Sequence, residues 1–120
     1  MMTVEQIATR LADYCRNDEF SLAQQELYAD DAVSIEAHAT PAFDKETRGK
    51  EALKEKDRKF SAMVEEWYGS TVSAPVVAGN TFAFALTMDL KMKGRDRETM
   101  TELCVYQVKD GKIISEQFFV

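Results

Sequence analysis

Near the start of the chain apolar side chains recur at helical spacing. Val4, Ile7, Ala8, Leu11, Ala12 and Cys15 share one face, and Thr3 with Gln6 three residues later resembles a capping box in front of them. The spacing predicts a helix to about Arg16. Asn17-Asp18 breaks the pattern, and a shorter second helix is expected from about Phe20 to Tyr28. Ala32 to His38 alternates and reads as a first strand, and Ala39 to Arg48, with Pro41, reads as a loop. After Gly49 a charged segment runs from Lys50 to Val64 on a stripe of Leu53, Phe60, Met63 and Val64. Its mixed charges at three- and four-residue spacing suit a solvated helix face.

From Trp67 the period changes to two. Strands are predicted at about Glu66–Ala74, Thr81–Met92, Thr99–Lys109 and Lys112–Phe119, with turns at Gly79-Asn80 and Asp110-Gly111. In the strand from Thr81 the even positions are Phe82, Phe84, Leu86, Met88, Leu90 and Met92, while the odd ones are small or polar. One face of the sheet is therefore expected under helices, and the other open to solvent or to a flat dimer contact. In the next strand Glu102 shares a face with Met100, Cys104, Tyr106 and Val108, an unusual place for a carboxylate. Three helices ahead of an antiparallel run predict an α+β domain, helices packed on one face of a curved sheet.

Composition narrows the partners. The 120 residues are expected to form one domain over 1–120. Against 21 acids stand 15 lysines and arginines, a net charge of −6 that argues against nucleic acid and against anionic membrane surfaces. The uncharged run Trp67 to Met88 is long enough for a membrane span, but its Gly, Ser, Thr, Asn and Pro residues favour two strands around a turn. Cys15 and Cys104 are too far apart in sequence to read as a ligand pair, and with no basic and apolar leader at the N-terminus a cytoplasmic location is expected. One histidine and two distant cysteines make a metal site improbable, and no phosphate loop, dinucleotide fingerprint or serine elbow occurs, so no cofactor is expected.

Leu27-Tyr28-Ala29-Asp30-Asp31-Ala32-Val33, Gly49 ahead of the third helix, and Lys109-Asp110-Gly111-Lys112-Ile113 between the last strands resemble the nuclear transport factor 2-like superfamily, and within it the SnoaL-like group that includes polyketide cyclases. The resemblance covers essentially the whole chain. It implies a cone-shaped, cystatin-like fold of three N-terminal helices on a curved, mostly antiparallel sheet, a largely apolar pocket holding a small apolar molecule, and a homodimer through the sheet. The same stretch is similar to ketosteroid isomerase, whose general base follows the Ala-Asp-Asp-Ala turn. Counting from Ala29 places that position at Glu36. The tyrosine of the isomerase oxyanion pair falls on Ala12, with Tyr14 roughly 200° further round the helix. The neutral acid of that pair falls near Cys104, with Glu102 two residues earlier on the same face.

The candidate catalytic residues are therefore Glu36 as general base, and Glu102 or His38 to stabilise or reprotonate an enolate. Each has a plain alternative: Glu36 at the surface, His38 in an exposed loop, and Glu102 paired with Arg95 or Arg97. Asp89, on the small-residue face, suits a surface or dimer edge. Tyr14, Phe60, Trp67, Phe84, Met88, Cys104, Tyr106 and Phe118 are candidates to line the pocket, although each would also serve as core. Two functions are compatible with this pattern. One is a cofactor-independent isomerase, cyclase or dehydratase acting on a small carbonyl compound. The other is a non-catalytic ligand-binding or dimeric module of the same fold.

Overall fold

The computed structural model describes residues 1–120. Helix α1 spans Val4–Arg16, and its Thr3 and Gln6 form the reciprocal capping box. Ile7, Ala8, Leu11, Ala12 and Cys15 are its buried stripe. Helix α2 covers Phe20–Leu27 and gives way at once to strand β1, Tyr28–Ile35. β1 thus begins four residues before the expected Ala32 and ends before Glu36, so Glu36 and His38 stand on the segment leaving the strand. Within the expected loop a three-residue strand β2, Glu46–Arg48, pairs antiparallel with β1.

Gly49 follows with φ +97°, a left-handed conformation that glycine adopts without a Cβ penalty. Its N–H donates to the Ala32 carbonyl at 2.8 Å, which ties the start of helix α3, Lys50–Met63, to β1. The other strands are β3 (Val64–Val72), β4 (Val76–Ala78), β5 (Thr81–Met92), β6 (Arg97–Lys109) and β7 (Lys112–Phe119). The run from Trp67 to Met88 resolves into most of β3, then β4 and the first two thirds of β5, and no helix is long and apolar enough to cross a membrane.

All seven strands form one sheet in the order β2-β1-β7-β6-β5-β3, with β4 also pairing β5. Only β1 and β7 run parallel. The β6–β7 turn has Asp110 and Gly111 at φ +51° and +74°, the doubly left-handed geometry that an Asp-Gly hairpin supplies. Along β5 burial alternates without a break, the even residues Phe82 to Met92 pointing into the core. Phe82 stacks on its cross-strand partner Tyr106 at 4.9 Å between ring centroids. The three helices cover this face. Of α3 only Leu53 is fully buried, which leaves room between that helix and the far half of the sheet.

Candidate functional site

That room is a cavity of about 950 Å³. Just over half of its lining residues are hydrophobic, and its walls come from α1, α2, α3, the 36–43 segment and the inner faces of β5, β6 and β7.

At its floor is Glu116 of β7, which is 7% exposed. Tyr28, 4% exposed at the start of β1, donates its hydroxyl hydrogen to Glu116 Oε1. Ser34 Oγ, wholly buried further along β1, donates to Oε2 at 2.7 Å. Ser34 and Glu116 are register partners across the parallel β1–β7 ladder, so strand pairing itself brings them together. Burial pushes the Glu116 carboxyl up, opposed by the bonds from Tyr28 and Ser34 and by the Lys56 charge. Burial and then the Glu116 charge raise the Tyr28 hydroxyl well above the usual tyrosine value.

From α3 the Lys56 ammonium donates to Ser34 Oγ at 2.9 Å and pairs with Glu36. It also lies 5.7 Å from the centre of the Phe118 ring. Glu36 is held where the chain leaves β1 by its N–H, which donates to the Lys45 carbonyl at 2.7 Å. A continuous chain therefore runs from Glu36 through Lys56 and Ser34 to Glu116 and Tyr28.

Glu102 of β6 lines the same cavity and has no cationic partner. Arg95 bonds Glu98, and Arg97 forms a bidentate pair with Asp89. The Cys104 thiol donates weakly to the Glu102 carboxylate, at 3.8 Å. Burial, reinforced by the charges of Glu36 and Glu116, pushes Glu102 up to about 7. Asp57 on α3 also turns to the cavity, and one of its oxygens is buried without a hydrogen-bond partner. Burial and then Glu116 raise it to about 6.

The cavity thus brings together Glu36, Glu102, Phe60, Trp67, Met88, Tyr106 and Phe118, with His38 exposed on the segment leaving β1. Three expected lining residues do not reach it. Tyr14 donates its hydroxyl to Glu26 Oε2 at 2.6 Å on the α1–α2 surface, and Phe84 and Cys104 are wholly packed into the core under the neighbouring part of the sheet. Asp89 stays on the outer face with Arg97, whose guanidinium lies 3.8 Å from the Tyr68 ring centre.

Sequence reasoning missed Tyr28, Lys56, Asp57 and Glu116. The middle of α3, from Lys54 to Lys59, reads as uniformly charged, so nothing marked Lys56 and Asp57 as facing inward and not outward. For Glu116 the available signal was an acid on the same side as Ile113 and Phe118 around an irregular pairing of β7 with β6.

Comparison with known proteins supplies the kinship. The SnoaL-like domain family model matches residues 2–120. A solved structure from Mesorhizobium loti, described both as a candidate SnoaL-like polyketide cyclase and as a carbohydrate phosphatase, is 33% identical over 99% of this chain and 100% of its own, with a TM-score of 0.91. A protein with a ketosteroid isomerase-like fold from Catenulispora acidiphila, solved with trimethylamine, is 18% identical over 98% of this chain and 87% of its own, TM-score 0.76. IdmH from Streptomyces antibioticus, described as a candidate polyketide cyclase, is also 18% identical, over 98% and 91%, TM-score 0.73. No curated protein is significantly similar in sequence. With its cone of three helices on a seven-stranded, mostly antiparallel sheet, the chain belongs to the SnoaL-like domain family.

Proposed function

We propose that this protein is a cofactor-independent isomerase or cyclase that moves a proton on a small carbonyl compound, with Glu36 and Glu102 as the acid–base pair. One observation carries the reading: two carboxylates in different settings face a single cavity. Glu36 is paired with an ammonium, whereas Glu102 is desolvated, unpaired and raised to about 7. Carboxyl groups held in unlike environments divide into a base and an acid. Glu36 takes a proton from the carbon beside the carbonyl, and the carbonyl oxygen becomes an enolate oxygen. Protonated Glu102 donates a hydrogen bond to that oxygen. Return of the proton from Glu36 to another carbon completes an isomerisation; where the enolate carbon instead attacks a second carbonyl within the substrate, a ring closes and the new alkoxide oxygen takes the proton from Glu36. The single domain over 1–120 acts as a cytoplasmic homodimer through the outer sheet face, and His38 helps to cover the entrance.

The test is exchange of the α-hydrogens of 2-tetralone for deuterium in heavy water, followed by proton NMR. Wild type is expected to accelerate exchange, and Glu36→Gln to lose at least about a hundredfold of that acceleration, the scale of a positioned general base. Equal exchange by the variant would overturn the role of Glu36. Absence of acceleration by the wild type would favour a second reading, a non-catalytic pocket that only holds its ligand. Ala12 supports that reading. It stands where the isomerase pattern has a tyrosine, is wholly buried, and offers no side-chain donor.

A further inference from the structure

Four lysines lie on α3, and three of them find partners away from the cavity. Lys50 and Lys59 donate to the carbonyls of Gln25 and Ala42, and Lys54 pairs with Glu51 at the surface. Lys56 lines the cavity, its side chain 14% exposed. A largely buried ion pair is a poor stabilising device, because taking both charges out of water offsets their attraction. Pairing with Glu36 is therefore not by itself a reason for an ammonium at a mainly apolar wall.

The contacts of Lys56 have a fixed polarity. Ser34 has one hydroxyl hydrogen and gives it to Glu116, so towards Lys56 its oxygen acts only as an acceptor. Glu116 is held in turn by Tyr28. Of the three ammonium hydrogens, Ser34 and Glu36 take two, and no other group of the chain accepts the third. The Phe118 ring centre, 5.7 Å away, stands at the outer limit of a cation–π contact and leaves that hydrogen to a molecule in the cavity.

Contact with the proposed base gives this hydrogen a use. When Glu36 takes the proton beside the carbonyl, the C–H electron pair becomes the C=C bond and the carbonyl π pair moves to oxygen. Glu36 is then neutral, and the negative charge it carried stands on the substrate oxygen. Lys56 has lost one anionic partner and meets another, while keeping all of its own protons. We infer that Lys56 is a catalytic residue, the charged donor that holds the substrate oxygen, beside Glu102, as it becomes an enolate. The inference rests on the acid–base reading of Glu36 and adds the anchoring point of the substrate. An enolate oxygen is more basic than a carbonyl oxygen, so this hydrogen bond strengthens as the reaction proceeds and favours the transition state over the bound substrate.

Two measurements test it, one with turnover and one without. Lys56→Met keeps the length of the side chain and removes its charge. Its deuterium exchange in 2-tetralone is expected to lose at least about a hundredfold in kcat with KM changed about threefold or less, the pattern of a contact made in the transition state. The second measurement uses Glu36→Gln, whose neutral carboxamide imitates the base after it has taken the proton. Bound 4-nitrophenol, which ionises near neutral pH to a yellow anion, should then ionise at least about one pH unit below the free phenol, a tenfold preference for the anion. In Glu36→Gln/Lys56→Met that preference should fall to about twofold or less, while 4-nitrotoluene, with no acidic hydrogen, binds both proteins alike. A purely structural lysine would alter stability and leave the ionisation of the phenol unmoved. Equal ionisation in the two proteins would overturn the inference and leave the cavity reading standing, and failure of both probes to bind would overturn both. Undiminished exchange by Lys56→Met would overturn the inference and keep Glu36 as base. Ionisation that depends on Lys56, without exchange by the wild type, would keep Lys56 as the holder of an oxyanion and remove the acid–base reading. If Lys56→Met does not fold, Glu36→Gln decides alone, since a bound phenol that ionises no lower than the free one would overturn the inference.

Discussion

Tyr28 and Glu116 lie 88 residues apart in the chain, yet the hydroxyl of one bonds the carboxylate of the other inside the protein. The contact joins the first strand to the last. It also satisfies a carboxyl that would otherwise be buried with half of its acceptor capacity unused. Tyr28→Phe is expected to lower stability by about 1–3 kcal/mol, the cost of leaving a buried acceptor unpaired. Urea unfolding measures this, and an unchanged midpoint would show that the bond contributes nothing net. Because Ser34 serves the same carboxylate, Tyr28→Phe and Ser34→Ala should not be additive.

Glu102 and Asp57 make stability depend on pH in an unusual direction for acids. Both hold a proton more tightly in the folded chain, at about 7 and about 6, than their ordinary values of 4.5 and 3.8. Between those limits the folded state binds more protons than the unfolded one, so their contribution is intact below about pH 4 and is lost as pH rises towards 7. For Glu102 the loss is on the order of 3 kcal/mol. Unfolding midpoints taken from pH 5 to pH 8 should fall less steeply in Glu102→Gln than in wild type. Parallel slopes would remove Glu102 as the source.

The same carboxyl sets the pH profile of the proposed reaction. Glu102 donates only while protonated, so deuterium exchange by the wild type should decline above about pH 7. Glu102→Gln keeps an N–H donor but does not ionise. Its exchange should be slower yet flat across that range, and a variant profile with the wild-type decline would assign the alkaline limb to another group.

On the outer sheet face Leu103 and Phe119 are register partners, 45% and 48% exposed. Two apolar side chains placed together on open sheet fit the proposed homodimer. Leu103→Glu should convert a dimer to a monomer in sedimentation without altering the far-ultraviolet spectrum. A wild type that already sediments as a monomer would end the proposal.

The elements with strong periodicity were legible in the sequence. The capping box of Thr3 and Gln6, the stripe of α1, the strict alternation along β5 and the Asp110-Gly111 turn all act over a few residues, and each appears where the pattern puts it. What escaped depends on distant pairing. β2 and β4 are three residues each and exist because a neighbouring strand supplies their hydrogen bonds. The parallel union of β1 with β7 has no local signature at all. It advances the start of β1 to Tyr28 and places Ser34 opposite Glu116. The acids at Glu36 and Glu102 were visible because a family pattern and an apolar strand surrounded them. Lys56 and Asp57 were concealed by the charges on either side, which obscured the one turn of α3 that looks inward.

Because β7 lies between β1 and β6, the interior of the sheet is completed only by the seventh strand in chain order. A ribosome must release residues up to Phe119 before β1 gains its inner neighbour, so the emerging chain carries an unfinished sheet with an open edge and an unformed cavity until β7 is free to pair. Shielding of that edge by a nascent-chain chaperone, and intolerance of truncations that cut into β7, follow from the strand order alone.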